Sequence, residues 1–61
     1  MTKYELYTWK HTDDSPHMLV FSEEPKPLPN TLWHYEVYRI DIDEHGHITS
    51  TRLVSEWSQE S

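Results

Sequence analysis

Apolar and polar residues alternate along much of this chain with a period of two, the repeat of strands on a half-buried sheet. Residues 3–10, Lys-Tyr-Glu-Leu-Tyr-Thr-Trp-Lys, put Tyr4, Leu6 and Thr8 on one side and Tyr7 and Trp9 on the other, which predicts a strand. His11-Thr-Asp-Asp-Ser-Pro16 follows, with short polar side chains that bond nearby backbone and a proline whose ring fixes φ, so the chain reverses there. His17-Met-Leu-Val-Phe-Ser22 is too short for a helix and contains β-branched and aromatic residues, and it reads as the returning strand. A first hairpin is therefore expected over 3–22.

The next segment, Glu23-Glu-Pro-Lys-Pro-Leu-Pro-Asn30, has a proline at every second position from Pro25 to Pro29. Prolines lack an amide donor and push their predecessors towards extended geometry, so 23–30 is a stiff connector that carries the chain across the fold. The longest strand-like stretch then runs from Thr31 to Asp43 and is followed by Glu44-His-Gly46 and a partner stretch from His47 to Trp57. Gly46 suits the left-handed position that closes a three-residue hairpin loop. A second hairpin is expected over 31–57, with a frayed tail over 58–61.

If Asp43 faces His47, an unbroken register pairs Ile42 with Ile48, Ile40 with Ser50, Tyr38 with Arg52 and Glu36 with Val54 on one face. The other face then holds Val37 with Leu53, Tyr35 with Ser55 and Trp33 with Trp57. Apolarity changes face midway along this hairpin. Either a β-bulge near Val37 and Tyr38 gathers these residues onto one face, or both faces are half buried and one keeps an apolar patch for another chain. No internal repeat is evident beyond the two-hairpin plan. The fold expected is one all-β domain over 1–61: a small antiparallel four-stranded sheet, curved or closing into a small barrel. The alternative is α+β with a short C-terminal helix over 51–60, because Val54 and Trp57 have helical spacing.

Composition narrows what such a sheet can do. The chain has 61 residues, no cysteine and a single glycine, so disulfides, thiolate zinc sites and glycine-rich phosphate loops are absent, and three tryptophans, four tyrosines and one phenylalanine supply the bulk of any core. No stretch has the make-up of a signal peptide or the length of a membrane span, and the lack of cysteine fits a reducing, cytoplasmic setting. Lys and Arg number 5 against 11 Asp and Glu, a formal net charge of -6. That balance opposes direct binding of nucleic acid, although Trp33, Tyr35 and Tyr7 are the aromatic type on which bases stack. Only Lys3, Lys10, Lys26, Arg39 and Arg52 are basic, and Arg52 is expected to stack on Tyr38 instead.

Candidate chemistry is sparse. His45 and His47, with Asp43, form the nearest thing to a metal set, but a hairpin tip of this composition is ordinary solvated turn chemistry and no metal or cofactor is expected. Neither adjacent carboxylate pair, Asp13-Asp14 or Glu23-Glu24, projects both groups to one side, and no serine has a base fixed beside it, so no catalytic residue is assigned and the chain is read as a non-enzyme. By elimination the function expected is that of a small acidic binding protein that regulates or inhibits another protein. Its sharper form is a nucleic-acid mimic that blocks a DNA- or RNA-binding protein. The partner-binding residues expected are Glu36, Tyr38, Ile40, Asp41, Asp43, Glu44, Glu23 and Glu24. The alternatives are a homodimeric structural module and a histidine-based metal or pH sensor.

Overall fold

A computed structural model describes residues 1–59 of the chain. It contains four strands, β1 (Thr2–Trp9), β2 (His17–Phe21), β3 (His34–Ile42) and β4 (Ile48–Ser58), and one short 3-10 turn, Pro29–Thr31, ahead of β3. The strands form a single antiparallel sheet in the order β2-β1-β3-β4, so the two expected hairpins are joined through their first strands. The sheet stays open, with β2 and β4 as its edges, and does not close into a barrel. No helix among the described residues is long and apolar enough to cross a membrane.

β2 and β3 both run antiparallel to β1 and are therefore parallel to each other, so the connector between them must cross the sheet. A right-handed crossover takes it over the face that carries Leu6 and Val37. Val37 on that face is 0% exposed and Leu6 6%, and Pro25, Pro27 and Leu32 between β2 and β3 are half-buried. Tyr4, Leu6, Tyr35, Val37, Arg39 and Trp57 share this covered face. Tyr35 and Trp57 stack there with centroids 6.2 Å apart and planes within 19°.

The second hairpin turns as expected. Gly46 sits at φ 84°, its amide donates to the Asp43 carbonyl at 3.1 Å, and the Asp43 amide donates to the His47 carbonyl at 2.9 Å. Asp43 Oδ1 also accepts from the amides of His45 and His47, both at 2.9 Å, so the carboxylate is part of the turn.

Beyond Ile42 and Ile48 the unbroken register fails twice. Asp41 pairs with Ser50, leaving Thr49 as an extra residue, and Val37 pairs with Ser55 while Tyr38 pairs with Leu53, leaving Val54 extra. The expected irregularity beside Val37 and Tyr38 is present, but the added residue lies in β4, so β3 alternates without interruption. It does not gather the apolar residues onto one face. Tyr35 and Val37 remain on the covered face, Tyr38, Ile40 and Ile42 on the other, and both faces are half buried. Leu53 is moved opposite Tyr38, and Arg52 lies opposite Arg39 on the covered face rather than against Tyr38.

The helix expected over 51–60 does not form, because 51–58 are strand; the spacing of three that the bulge at Val54 brings onto one face is that of Leu53 and Glu56. The expected fraying at residue 58 is corrected as well, because Ser58 pairs with His34 and the Gln59 amide donates to the Trp33 carbonyl at 2.8 Å. Residues 60 and 61 of that tail, and of the helix expected over 51–60, lie outside the described residues.

Candidate binding face

The other face of the sheet lies away from the right-handed path of the connector. From edge to edge it carries Met18 and Val20 from β2, Lys3, Glu5, Tyr7 and Trp9 from β1, His34, Glu36, Tyr38, Ile40 and Ile42 from β3, and Ile48, Thr51, Leu53, Glu56 and Ser58 from β4. Met18, Val20, Ile48 and Leu53 are 48%, 52%, 61% and 42% exposed. They stand on the two edge strands, Met18 and Val20 on β2 and Ile48 and Leu53 on β4, and flank the polar centre carried by β1 and β3; exposed apolar side chains of this kind are a feature of interaction surfaces.

At its centre, two copies of one tetrapeptide pattern meet. Tyr4-Glu5-Leu6-Tyr7 in β1 and Tyr35-Glu36-Val37-Tyr38 in β3 share the form Tyr-Glu-aliphatic-Tyr. The antiparallel register places Leu6 opposite Val37, Glu5 opposite Tyr38 and Tyr7 opposite Glu36. A local two-fold relation results: the aliphatic residues of both copies are buried on the covered face, and both Glu-Tyr pairs stand on the open one. This is a repeat that the segmentation into hairpins does not reveal.

Each tyrosine hydroxyl donates to the carboxylate two residues before it, Tyr7 to Glu5 Oε1 at 3.1 Å and Tyr38 to Glu36 Oε1 at 2.7 Å. The rings of Tyr7 and Tyr38 meet edge to face, with centroids 5.7 Å apart and planes at 90°. Both tyrosine hydroxyls are pushed above their ordinary range, chiefly by the carboxylate each one bonds. Glu36 is held below the usual carboxylate range by the His34 ring nitrogen first and the Tyr38 hydroxyl second.

The flanks of the quartet break its symmetry. One end is closed by the register pair Trp9 and His34, whose rings lie 4.9 Å apart, and the other by Lys3 and Ile40. A depression of about 380 Å³ lies over the quartet, lined by Glu5, Tyr7, Trp9, Pro16, Glu36, Tyr38 and Thr51. No basic residue lines it.

His34 Nε2 is 2.8 Å from Glu36 Oε2 and Nδ1 is 2.6 Å from Ser58 Oγ. Glu56 stands directly opposite Glu36 because the two extra residues, Thr49 and Val54, together move it there. Two carboxylates in that position repel each other, and the His34 ring lies beside them, 2.8 Å from Glu36 Oε2. His34, Glu36 and Glu56 bring one donor atom each within 4.8 Å of one another, the one such group among the described residues, although both ring nitrogens of His34 already have partners.

The residues expected to meet a partner are scattered. Glu36 and Tyr38 lie at the centre of the open face. Ile40 shares that face but is 2% exposed and offers a partner no surface. Asp41 projects to the covered face, where it accepts from Thr2 Oγ1 at 3.0 Å and Arg39 Nε at 3.3 Å; the Thr2 hydroxyl is the main cause of its lowered pKa. Asp43 and Glu44 stand at the hairpin tip, and Glu23 and Glu24 are exposed at the start of the connector. His45 and His47 have ring centroids 6.3 Å apart at the same tip, where Asp43 is occupied by the turn. Trp9, His34 and Glu56 join the site only through the β1–β3 pairing and the bulge. Comparison with protein-family models, curated proteins and solved structures yields no match to this chain.

Proposed function

We propose that the protein is a small acidic binding protein that regulates or inhibits another protein by laying the open face of its sheet on a basic surface of that partner. One observation carries this: the side of the sheet opposite Leu6 and Val37 combines exposed apolar residues with Glu5, Glu36 and Glu56, against Lys3 as the one Lys or Arg among the described strand residues of that face. Apolar area supplies affinity, and the carboxylates set association rate and partner choice. The sharper form of the proposal is that the basic surface is one that otherwise holds nucleic acid.

The test is capture from a native lysate on immobilised protein, with and without excess duplex DNA and across a salt series. A partner bound by the wild type, lost from the Glu5→Lys/Glu36→Lys variant and displaced by DNA, supports the mimic. One lost from the variant but indifferent to DNA supports the broader proposal only. Equal capture by wild type and variant contradicts both.

A second reading has its own observation. β2 is a five-residue edge strand whose Met18, Leu19 and Val20 are 48–55% exposed, and an unpaired edge of that kind can add a strand from another copy. Mass that rises with concentration, and fails to do so after Leu19→Lys, supports this homodimer.

A further inference from the structure

We propose that the depression over the Glu5–Tyr7 and Glu36–Tyr38 pairs is a receptor for one organic cation, the head of a lysine or arginine side chain presented by the partner. This rests on the proposal that the open face is the binding face, and it specifies what the centre of that face recognises.

Charge selects the ligand class. The lining holds two carboxylates and no basic residue, so an anionic group is repelled, and a purely apolar plug would strip water from both carboxylates without replacing it. A cation answers both. The walls suit it further, because Tyr7 and Tyr38 stand at right angles and Trp9 closes one end, giving aromatic faces of the kind that attract ammonium and guanidinium groups. At about 380 Å³ the space is on the scale of a small-ligand pocket and ample for a side-chain head.

The site is also built before the ligand arrives. Both carboxylates are anchored by tyrosine hydroxyls, and Glu36 is further tied to His34, so little ordering remains to be done on binding. Asymmetry gives the cation a direction. The two halves of the repeat would be equivalent, but one is flanked by Trp9 and His34 and the other by the ammonium of Lys3. The incoming head lies towards Trp9, away from Lys3.

The experiment is a ¹⁵N-resolved NMR titration of the intact chain with four probes: the N-acetyl amides of lysine, trimethyllysine, arginine and, as the neutral control, norleucine. The three cations are expected to shift the amides of Glu5, Tyr7, Trp9, Glu36 and Tyr38 saturably, with Kd on the order of 1–10 mM for so small a ligand, and norleucine to leave them in place. Their ranking reads the recognition mode: trimethyllysine first means that the rings dominate, lysine or arginine first that the carboxylates do. Glu5→Gln, which disturbs only the bond from Tyr7, is expected to weaken binding about fivefold. Glu36→Gln should do at least as much, and Tyr7→Phe, which keeps the ring, should stay within about twofold.

Shifts from norleucine equal to those from the cations, no saturation by about 50 mM, or unchanged affinity in a folded Glu5→Gln variant would each overturn the proposal. Failure here remains separable from failure of the binding-face proposal. If the probes do not bind yet partner capture depends on Met18, Val20 and Leu53, the face binds without this receptor. If the probes bind but capture ignores the face, the receptor serves a free cation instead.

Discussion

The two sides of one sheet, made from the same strands, have been put to different uses. On the covered side Leu6 and Val37 are enclosed beneath the crossover, Tyr35 stacks on Trp57, and Asp41 is held by Thr2 and Arg39. The open side has one buried residue, Ile40, and spends its aromatic rings on a carboxylate cluster facing water. The four strands form one sheet and no second sheet packs on it among the described residues. A sheet covered on one face only keeps the other available. Ile40 apart, stability should therefore be concentrated on the covered side and recognition on the open side, and substitutions can separate the two.

The largest effect expected is from Leu6→Ala, which removes a residue 6% exposed beneath the crossover. It should cost about 2–4 kcal/mol in urea denaturation, a large part of what a domain this small possesses. Leu53→Ser and Val20→Ser on the open side should change stability by less than about 0.5 kcal/mol. Comparable costs on the two sides would break the comparison.

Turn substitutions come next and belong to neither face. A Cβ on Gly46 would meet nothing within 4 Å, so Gly46→Ala is strained only through its φ of 84° and should cost about 1 kcal/mol. Asp43→Ala removes an acceptor shared by two amides and should cost about 1–2 kcal/mol. Both are read by thermal melting, and neither should alter partner capture.

The smallest effects concern pH. The folded pKa of Glu36 is below its ordinary 4.5, so the stability it contributes is present above that value and lost as pH falls through the folded pKa. Tyr7 and Tyr38 are raised above 10.0, so their contribution is whole below that value and lost as pH rises through the folded pKa. Melting temperature should fall at both extremes. Glu36→Gln should flatten the acid limb, and Tyr7→Phe with Tyr38→Phe the alkaline one; limbs unchanged by these variants would mean that the quartet is not formed in solution.

Much of the fold is legible in the residues because its signals are local. Period-two alternation marks the strands, Gly46 marks its turn, and alternate prolines mark a segment that cannot join the ladder. The register beyond Ile42 is not legible, because a bulge adds one residue without any composition of its own, and Thr49 and Val54 look like ordinary strand residues. Those two extra residues moved Leu53, Arg52 and Glu56 to new partners.

The site was less accessible still. Glu36 and Tyr38 could be singled out from acidity and aromaticity alone, but their counterparts Glu5 and Tyr7 become neighbours only when β1 pairs with β3, strands that are not consecutive in the chain. The signal that would have joined them is the repeated Tyr-Glu-aliphatic-Tyr pattern. Identical polar and apolar order in two strands invites antiparallel pairing about the shared aliphatic position, and Leu6 opposite Val37 is that pairing.

The most direct measurement of the division between faces is partner affinity for two charge-reversal variants made side by side, Glu5→Lys/Glu36→Lys on the open face and Arg39→Glu/Arg52→Glu on the covered face, each first shown to melt like the wild type. The account predicts that the open-face variant loses at least tenfold in affinity and most of the salt dependence, while the covered-face variant stays within about twofold. Equal losses from both, or a loss confined to the covered-face variant, would contradict it.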